Sequence, residues 1–207
     1  MTGAFIVFEG GEGCGKSTQS TRLADSLDAL WTRQPGGSPL GVRIREVVLA
    51  AADADEAAPL DDRAEALMMA ADRAQHVAEV IEPTLATGRH VVCDRYTPST
   101  IAYQGHGRGL DPGQLAELSF WAARGLQPDL IILLDVDEAT AAQRRGAVSD
   151  RIEAAGDEFH RRVVASYRAQ AAADPDRWVV IDGSGDVDAV AALVQDAVSE
   201  RLGLTWR

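Results

Sequence analysis

The sequence predicts an α/β fold, a parallel sheet wrapped on both faces by helices, and three observations carry that reading. Short apolar runs alternate with longer segments of helical period along the 207 residues. The runs are dense in Val, Ile and Leu without in–out alternation, as strands buried on both faces require. A glycine-rich stretch joins the first run to the first helical segment, where backbone N–H groups converge on an anion.

The strand candidates are residues 4–9 (AFIVFE), a weaker one near 29–33, then 90–94 (HVVCD), 130–135 (LIILLD) and 178–182 (WVVID). Helical segments are expected at 16–28, 40–51, 61–86, 112–124, 139–145, 158–173 and 187–202. In the second of these Val42, Ile44, Val47 and Val48 lie toward one side, and Pro83 falls near the end of the third. No internal repeat or low-complexity linker interrupts the pattern, so one domain over 1–207 is expected, long enough for a real core. The segment 144–157 (RRGAVSDRIEAAGD) stands apart. Gly146 and Gly156 bracket charged residues with little apolar periodicity, which predicts a mobile segment or an exposed loop.

Charge and composition remove whole classes of function. Thirty-two acidic against 20 basic side chains give a net charge of −12, which argues against a duplex nucleic-acid binder, since that needs a basic footprint. No apolar run approaches the ~18 residues of a membrane span. The opening MTGAFIVFEGG lacks a basic stretch, so no signal peptide is expected. Cys14 and Cys93 are too few for a disulfide framework and fit a reducing cytoplasm. His76, His90, His106 and His160 show no metal-ligand spacing.

Residues Gly10, Gly11, Glu12, Gly13, Cys14, Gly15, Lys16 and Ser17 satisfy G-x-x-x-x-G-K-[ST], with Thr18 next. The glycines let successive backbone N–H groups converge on phosphate oxygens, and the following helix aims its positive end at the same anion. Lys16 is placed to reach the β- and γ-phosphates of a nucleotide, and the Ser17 hydroxyl to ligate Mg²⁺. At this composition the pattern arises by chance in roughly one of a thousand such sequences. Lys16 is also the only lysine in the chain, standing where a compact ammonium is needed and a planar guanidinium does not fit. Cys14 is either a tolerated small residue or a thiol activated by Lys16 and the helix N-terminus.

A guanine-reading GTPase needs N-K-x-D, and this chain has no Asn and no second Lys. What remains at this length is a small kinase that moves a phosphoryl group to a small acceptor. Such an enzyme holds two anions in line, so arginines gather near strand ends. Three clusters qualify: Arg33 with Gln34, Pro35, Gly36 and Gly37; Arg95 between Asp94 and Tyr96; and Arg73 on the long helix. Each alone reads as an ordinary surface charge. In this order after the glycine-rich loop, they read as grips for a second anion.

The segments FEGGEGCGKST, TRQPGG, ADRAQH, DRYTPSTIAYQGHGRG, PDLIILLDV and SDRIEAAGDEFHRRV together resemble the thymidylate kinases, in register over about residues 5–168. The DRY…S…AYQG block is the most specific piece. The resemblance implies the P-loop nucleoside monophosphate kinase fold: a five-stranded parallel sheet flanked by helices, with a short mobile lid at 144–157. It implies transfer of the γ-phosphoryl of ATP to dTMP, giving dTDP and ADP with Mg²⁺, in a cytoplasmic homodimer. ATP then binds the loop from Gly10 to Thr18, and Ser17 and Asp94 serve the metal. Arg95 bridges donor and acceptor phosphates, and Arg33 grips the dTMP phosphate. Arg73 meets thymine, while Ser99, Thr100, Tyr103 and Gln104 line the thymidine pocket, with Tyr103 near the sugar. Gly13 stands where some members carry an arginine in the loop. The lid-arginine type is therefore implied, with Arg151 the catalytic cation before Arg144 or Arg145. The long helix, with Leu67, Met68 and Met69, is the expected dimer surface.

Three features depart from the family pattern. Gln34 replaces an acidic residue, so Glu12 gains weight as the local acid. Met69 stands where an aromatic stacks on thymine, and a thioether constrains a base less than a ring does. The stretch from Lys16 to Arg33 is short. A same-fold kinase for another nucleotide or deoxynucleoside stays open, as does a phosphate-loop regulator with little turnover.

Overall fold

The computed structural model describes residues 2–50, 60–144 and 150–206. Five parallel strands, β1 (Phe5–Glu9), β2 (Leu30–Arg33), β3 (Val91–Asp94), β4 (Leu130–Asp135) and β5 (Trp178–Asp182), form one sheet in the order β2-β3-β1-β4-β5. This is the doubly wound arrangement expected from the unalternating apolar runs. Successive residues of β1 feed opposite cores. Phe5 and Val7 join one cluster with Val91, Cys93, Ile131 and Leu133, whereas Ile6 and Phe8 join the other with Val92, Ile132 and Leu134. Burying one such side chain is worth about 1.5–3 kcal/mol, so a polar residue on either face of β1 or β4 has no cheap place to go.

The chain winds helices over both faces. Helices α1 (Lys16–Leu27) and α9 (Val187–Leu202) pack together, and their Leu23, Leu27, Val190 and Val194 belong to the second cluster. On the other side lie α2 (Pro39–Val48), α3 (Asp62–His76), α6 (Pro112–Ala122) and α8 (Asp157–Ala173). Helix α2 opens on the Ser38 side chain accepting from Gly41 N, with Pro39 at its first position, the place where a missing N–H costs nothing. Helix α3 opens on Asp61, whose carboxylate accepts from Arg63 N and Ala64 N.

Several boundaries differ from the sequence expectation. The 61–86 segment starts as α3, widens into a π-turn at Val77–Ile81 and resumes as α4 (Glu82–Ala86). Pro83 sits at the start of α4, where its missing N–H is tolerated; the widened turn makes that possible in mid-run. Helix α2 ends at Val48, with Leu49 N donating to Arg45 O, and α6 ends at Ala122 before the left-handed Arg124 and Gly125. The sequence reading missed α5 (Thr97–Thr100) and its π-helical continuation Ile101–Gly107, because Pro98 and three glycines by 109 read as turn. Burial of Ala102, Tyr103 and Gly105 overrides that propensity. Helix α7 is described over Glu138–Arg144, and Arg145 lies outside the described residues. Of the expected lid, residues 150–157 are described; they hold a short 3-10 turn at Glu153–Ala155. Among the described residues no helix is long and apolar enough to cross a membrane.

Candidate active site

The phosphate loop hangs on two chain constraints at the end of β1. Gly10 has φ of 143°, and a Cβ there would stand 2.5 Å from Leu134 O, so only glycine lets the loop leave the sheet here. Gly15 then caps α1 without any side-chain hydrogen bond, leaving the helix's first N–H groups free for an anion. Lys16 Nζ donates to Gly11 O at 2.7 Å and contacts Cys14 Sγ at 3.6 Å. The Cys14 thiol itself is 2 % exposed and packs into the core, which favours its reading as a tolerated small residue.

One cavity of about 370 Å³ borders the loop at Gly11 and Glu12 from the side of β4 and α8, and two others meet along it. Of those two, the first, about 630 Å³, runs from Glu12 to Gln19 and is closed by Arg144, Gly183, Asp186 and Val187. It holds Gly13, Cys14, Gly15, Lys16, Ser17 and Thr18; Gly10 and Gly11 lie outside it, their carbonyls accepting from Arg95 and Lys16. Arg144 fastens the end of α7 to the loop after β5, donating to Gly183 O, Ser184 O and Gly185 O. The second cavity, about 230 Å³, takes Glu12, Lys16 and Ser17 as its near wall. Arg33, Arg45, Met69, Tyr103, Gln104 and Asp150 contribute to its far side.

Arg95 lines the second cavity, at the left-handed φ of 72°. One of its nitrogens donates to Gly10 O at 3.0 Å and Tyr167 Oη at 2.9 Å, and the other pairs with Glu12 at 2.5 Å. Its guanidinium also lies 4.9 Å from the Tyr103 ring centroid. Burial alone works against the Arg95 charge, but Tyr103, Glu12, Tyr167 and Asp94 outweigh it and hold its pKa well above the usual range. Burial likewise opposes ionisation of Glu12. The Arg95 and Lys16 charges override it, holding the carboxyl down at about 2. Tyr103 Oη donates to the same Glu12 oxygen at 2.8 Å.

Glu9, three residues earlier, goes the other way: burial pushes its pKa up against the pull of Arg95. It accepts from Tyr96 N at 2.9 Å and Ser99 Oγ at 2.7 Å, which fixes the turn carrying Arg95. Sequence reasoning passed over Glu9 as the last residue of a strand. It also passed over Arg45 as one of several helical arginines, since only the fold brings it to the cavity with Arg33. Burial first, then the Arg33 charge, lowers the Arg45 pKa, while Asp150 and Asp94 pull it up.

Other expected residues stand apart from the cavity wall. Arg73 is 2 % exposed, with Nε donating to Gln34 Oε1 at 3.1 Å and Nη2 to Tyr96 O at 3.1 Å. Ser99 lies beneath Arg95, and Thr100 is fully enclosed. Arg151 faces away from the phosphate loop: its Nη2 donates to Val48 O at 3.0 Å and Glu65 Oε2 at 3.3 Å. The buried Glu65 also receives Gln104 Nε2 at 2.8 Å and Arg108 Nη2 at 3.1 Å. Met68 and Met69 pack toward the core while Leu67 points out, so only Leu67 of the three serves the expected outer surface.

A divalent cation has oxygen donors here and no cage. Ser17 Oγ donates to Asp94 Oδ2 at 2.6 Å, at the meeting of the two cavities. Among the described residues no group of three or more His, Cys, Asp or Glu could hold a metal ion. One hydroxyl and one carboxylate suit Mg²⁺, which keeps most of its water and shares phosphate oxygens.

Comparison with known proteins names the family. The family model described as thymidylate kinase matches residues 8–194. The thymidylate kinase of Solidesulfovibrio magneticus is 52 % identical, over 96 % of this chain and 100 % of its own. That of Cutibacterium acnes is 48 % identical, over 96 % and 98 %. The crystal structure of thymidylate kinase from Ehrlichia chaffeensis superposes with a TM-score of 0.78 at 30 % identity, covering 96 % of this chain and all of the other.

Proposed function

Because the chain belongs to the thymidylate kinase family, we propose that its two joined cavities take ATP and dTMP and that the residues between them carry the phosphoryl transfer. The enzyme phosphorylates dTMP to dTDP at the expense of ATP. The observation that carries the residue assignment is the shared wall. Glu12, Lys16 and Ser17 border both cavities, so the cavities join there and a donor phosphate and an acceptor phosphate can meet in line.

The donor phosphates lie along Gly13–Thr18, with the Arg144-closed end of that cavity left for the base. Lys16 leaves Gly11 O for the β- and γ-phosphates. Arg33 and Arg45 hold the acceptor phosphate, and Met69, Tyr103 and Gln104 border its nucleoside. The acceptor oxygen is already anionic, so no general base is needed. Its lone pair forms the new P–O bond as the bond to the ADP oxygen breaks in line. Arg95, preset in its strained turn, neutralises charge between the two phosphates. Glu12 keeps Arg95 aimed, and Glu9 with Ser99 keeps the turn. Arg151 is the cation delivered when residues 150–157 close, leaving Glu65 for the transferred group. Ser17 and Asp94 would hold Mg²⁺ through oxygen, where it would neutralise charge on the donor phosphates.

We further propose a homodimer of single-domain subunits. Helix α3 packs against both α2 and α6, and this layer exposes Leu40, Val47, Leu67, Phe120 and Trp121, an apolar set that a second copy covers. Sedimentation should give twice the 22.0 kDa chain, and a monomer at assay concentrations sinks the idea. Two buried free thiols, Cys14 and Cys93, suit the cytoplasm. For the acceptor, ADP release over a panel of nucleoside monophosphates and deoxynucleosides should be strong with dTMP. A stronger response to another acceptor would replace dTMP in this site.

A further inference from the structure

Behind the acceptor cavity lies a buried polar chain that the reaction steps above leave unused. His76, 0 % exposed at the end of α3, places Nε2 at 2.7 Å from Thr32 Oγ1 and Nδ1 at 2.9 Å from Gln34 Nε2. Gln34 lines the acceptor cavity and accepts from Arg73 Nε at 3.1 Å through Oε1. The protonation pattern follows from donor counting alone. A guanidinium only donates, so the Gln34 atom facing Arg73 is the oxygen. The atom facing His76 is therefore the amide nitrogen, which also only donates. Nδ1 of His76 must then be an unprotonated acceptor, leaving its proton on Nε2 to be donated to Thr32 Oγ1.

The surrounding backbone is moulded to this ring. A Cβ on Gly37 would meet His76 Nε2 at 2.2 Å, and one on Gly41 would meet Asp72 Oδ1 at 2.2 Å. Gly36 N donates to that same Asp72 oxygen at 2.9 Å. One face of α3, carrying residues 72, 73 and 76, thus clamps the loop from 34 to 41 that follows β2.

We infer that His76 is a positioning residue for the acceptor: its bare Nδ1 orients the Gln34 amide, and through it the Arg73 guanidinium, at the back of the acceptor cavity. This rests on the acceptor assignment made above. The charged groups around the ring come from every element packed on it. Arg73 and Asp72 lie on its own helix, Arg45 on α2 donates to Pro35 O, and Asp94 ends β3 beside β2. Burial first, then the Arg73 charge, lowers the His76 pKa to about 4, so the ring stays neutral wherever the enzyme works.

The chain therefore predicts an acceptor site whose His76 contact is independent of pH, and one substitution should reverse the tautomer. In Gln34→Glu the carboxylate only accepts, so Nδ1 must carry the proton to keep the contact. The neutral ring supplies it by moving its proton from Nε2, which then accepts from the Thr32 hydroxyl. The spectrum of Gln34→Glu should show that reversed tautomer, with the dTMP KM within about threefold of wild type because the contact is kept. From about pH 6 to pH 8 the wild-type dTMP KM should change by no more than about twofold, the change that the second ionisation of the dTMP phosphate brings. His76→Asn alone, which keeps an acceptor oxygen near Nδ1, should hold the dTMP KM within about threefold, whereas His76→Leu should raise it about tenfold. Long-range ¹H–¹⁵N spectra of the full chain, with His76 assigned by its loss in His76→Asn, should show Nδ1 unprotonated and not titrating above about pH 5. A protonated Nδ1 in the wild type, titration near about pH 6.5, or equal KM for the Asn and Leu variants overturns the inference. The ring nitrogens report on His76 whatever occupies the cavity, so the spectrum fails separately from the acceptor assignment.

Discussion

The donor side and the acceptor side of this site are built on opposite plans. The donor side is one continuous stretch, Gly10–Thr18, whose groups converge because a strand, a tight loop and a helix follow one another in the chain. The proposed acceptor side takes Arg33 at the end of β2, Arg45 from α2, Met69 from α3, Arg95 after β3 and Tyr103 from the π-helical turn, with Arg73 of α3 buried behind Gln34. No two of these need be neighbours in sequence. The lesson is that local geometry makes a site rigid and recognisable, while an assembled site depends on buried partners that have no contact with substrate. Glu9, Glu65 and His76 are such partners.

Substitutions can break or sharpen that contrast. The largest effect is expected on the donor side. Lys16→Met should lower kcat about 10³-fold while the dissociation constant of dTMP, measured by calorimetry, changes little. A parallel loss of dTMP binding would mean the two sides are not separable. Next comes Arg73→Ala, which leaves Gln34 Oε1 without its donor. It should raise the dTMP KM about 100-fold and leave the ATP KM within about twofold. If steady-state kinetics show the ATP KM moving instead, Arg73 belongs to the other side.

The smallest expected effect is on stability, at the residue that joins both sides. Glu12 has its folded pKa depressed to about 2 from an ordinary 4.5. The unfolded chain therefore binds the proton first as pH falls. The stabilisation is fully present above pH 4.5 and is lost toward pH 2. Its carboxylate is 25 % exposed, so screening reduces the linkage to about 2 kcal/mol. Urea unfolding at stepped pH should show wild type losing that much more than Glu12→Gln over this window. Equal losses would mean that the Glu12–Arg95 pair contributes nothing to folding.

The same two sides show what was legible beforehand. Four of five strands were readable from their Val, Ile and Leu density, and β2 only weakly, because LWTR is short and sits at the sheet edge. The turn after Tyr96 was not readable. Its proline and glycines favour a loop, and only the packing of Ala102 and Tyr103 against the core makes it helical. Arg33 and Arg95 stood out because each follows a strand end, where ligands of such sheets bind. Arg45 did not stand out from Arg43 two residues away, since both look alike on an amphipathic helix.

By itself the sequence determined the sheet, the phosphate loop and its single lysine, because a strand, a tight turn and a helix start are written in contiguous residue types. Only the tertiary structure decided which arginines share a cavity and which carboxylates stay charged. Glu9 and Glu12 are the same side chain three residues apart, yet burial raises the first while Arg95 and Lys16 hold the second down. That difference lies in depth and in neighbours brought from far along the chain.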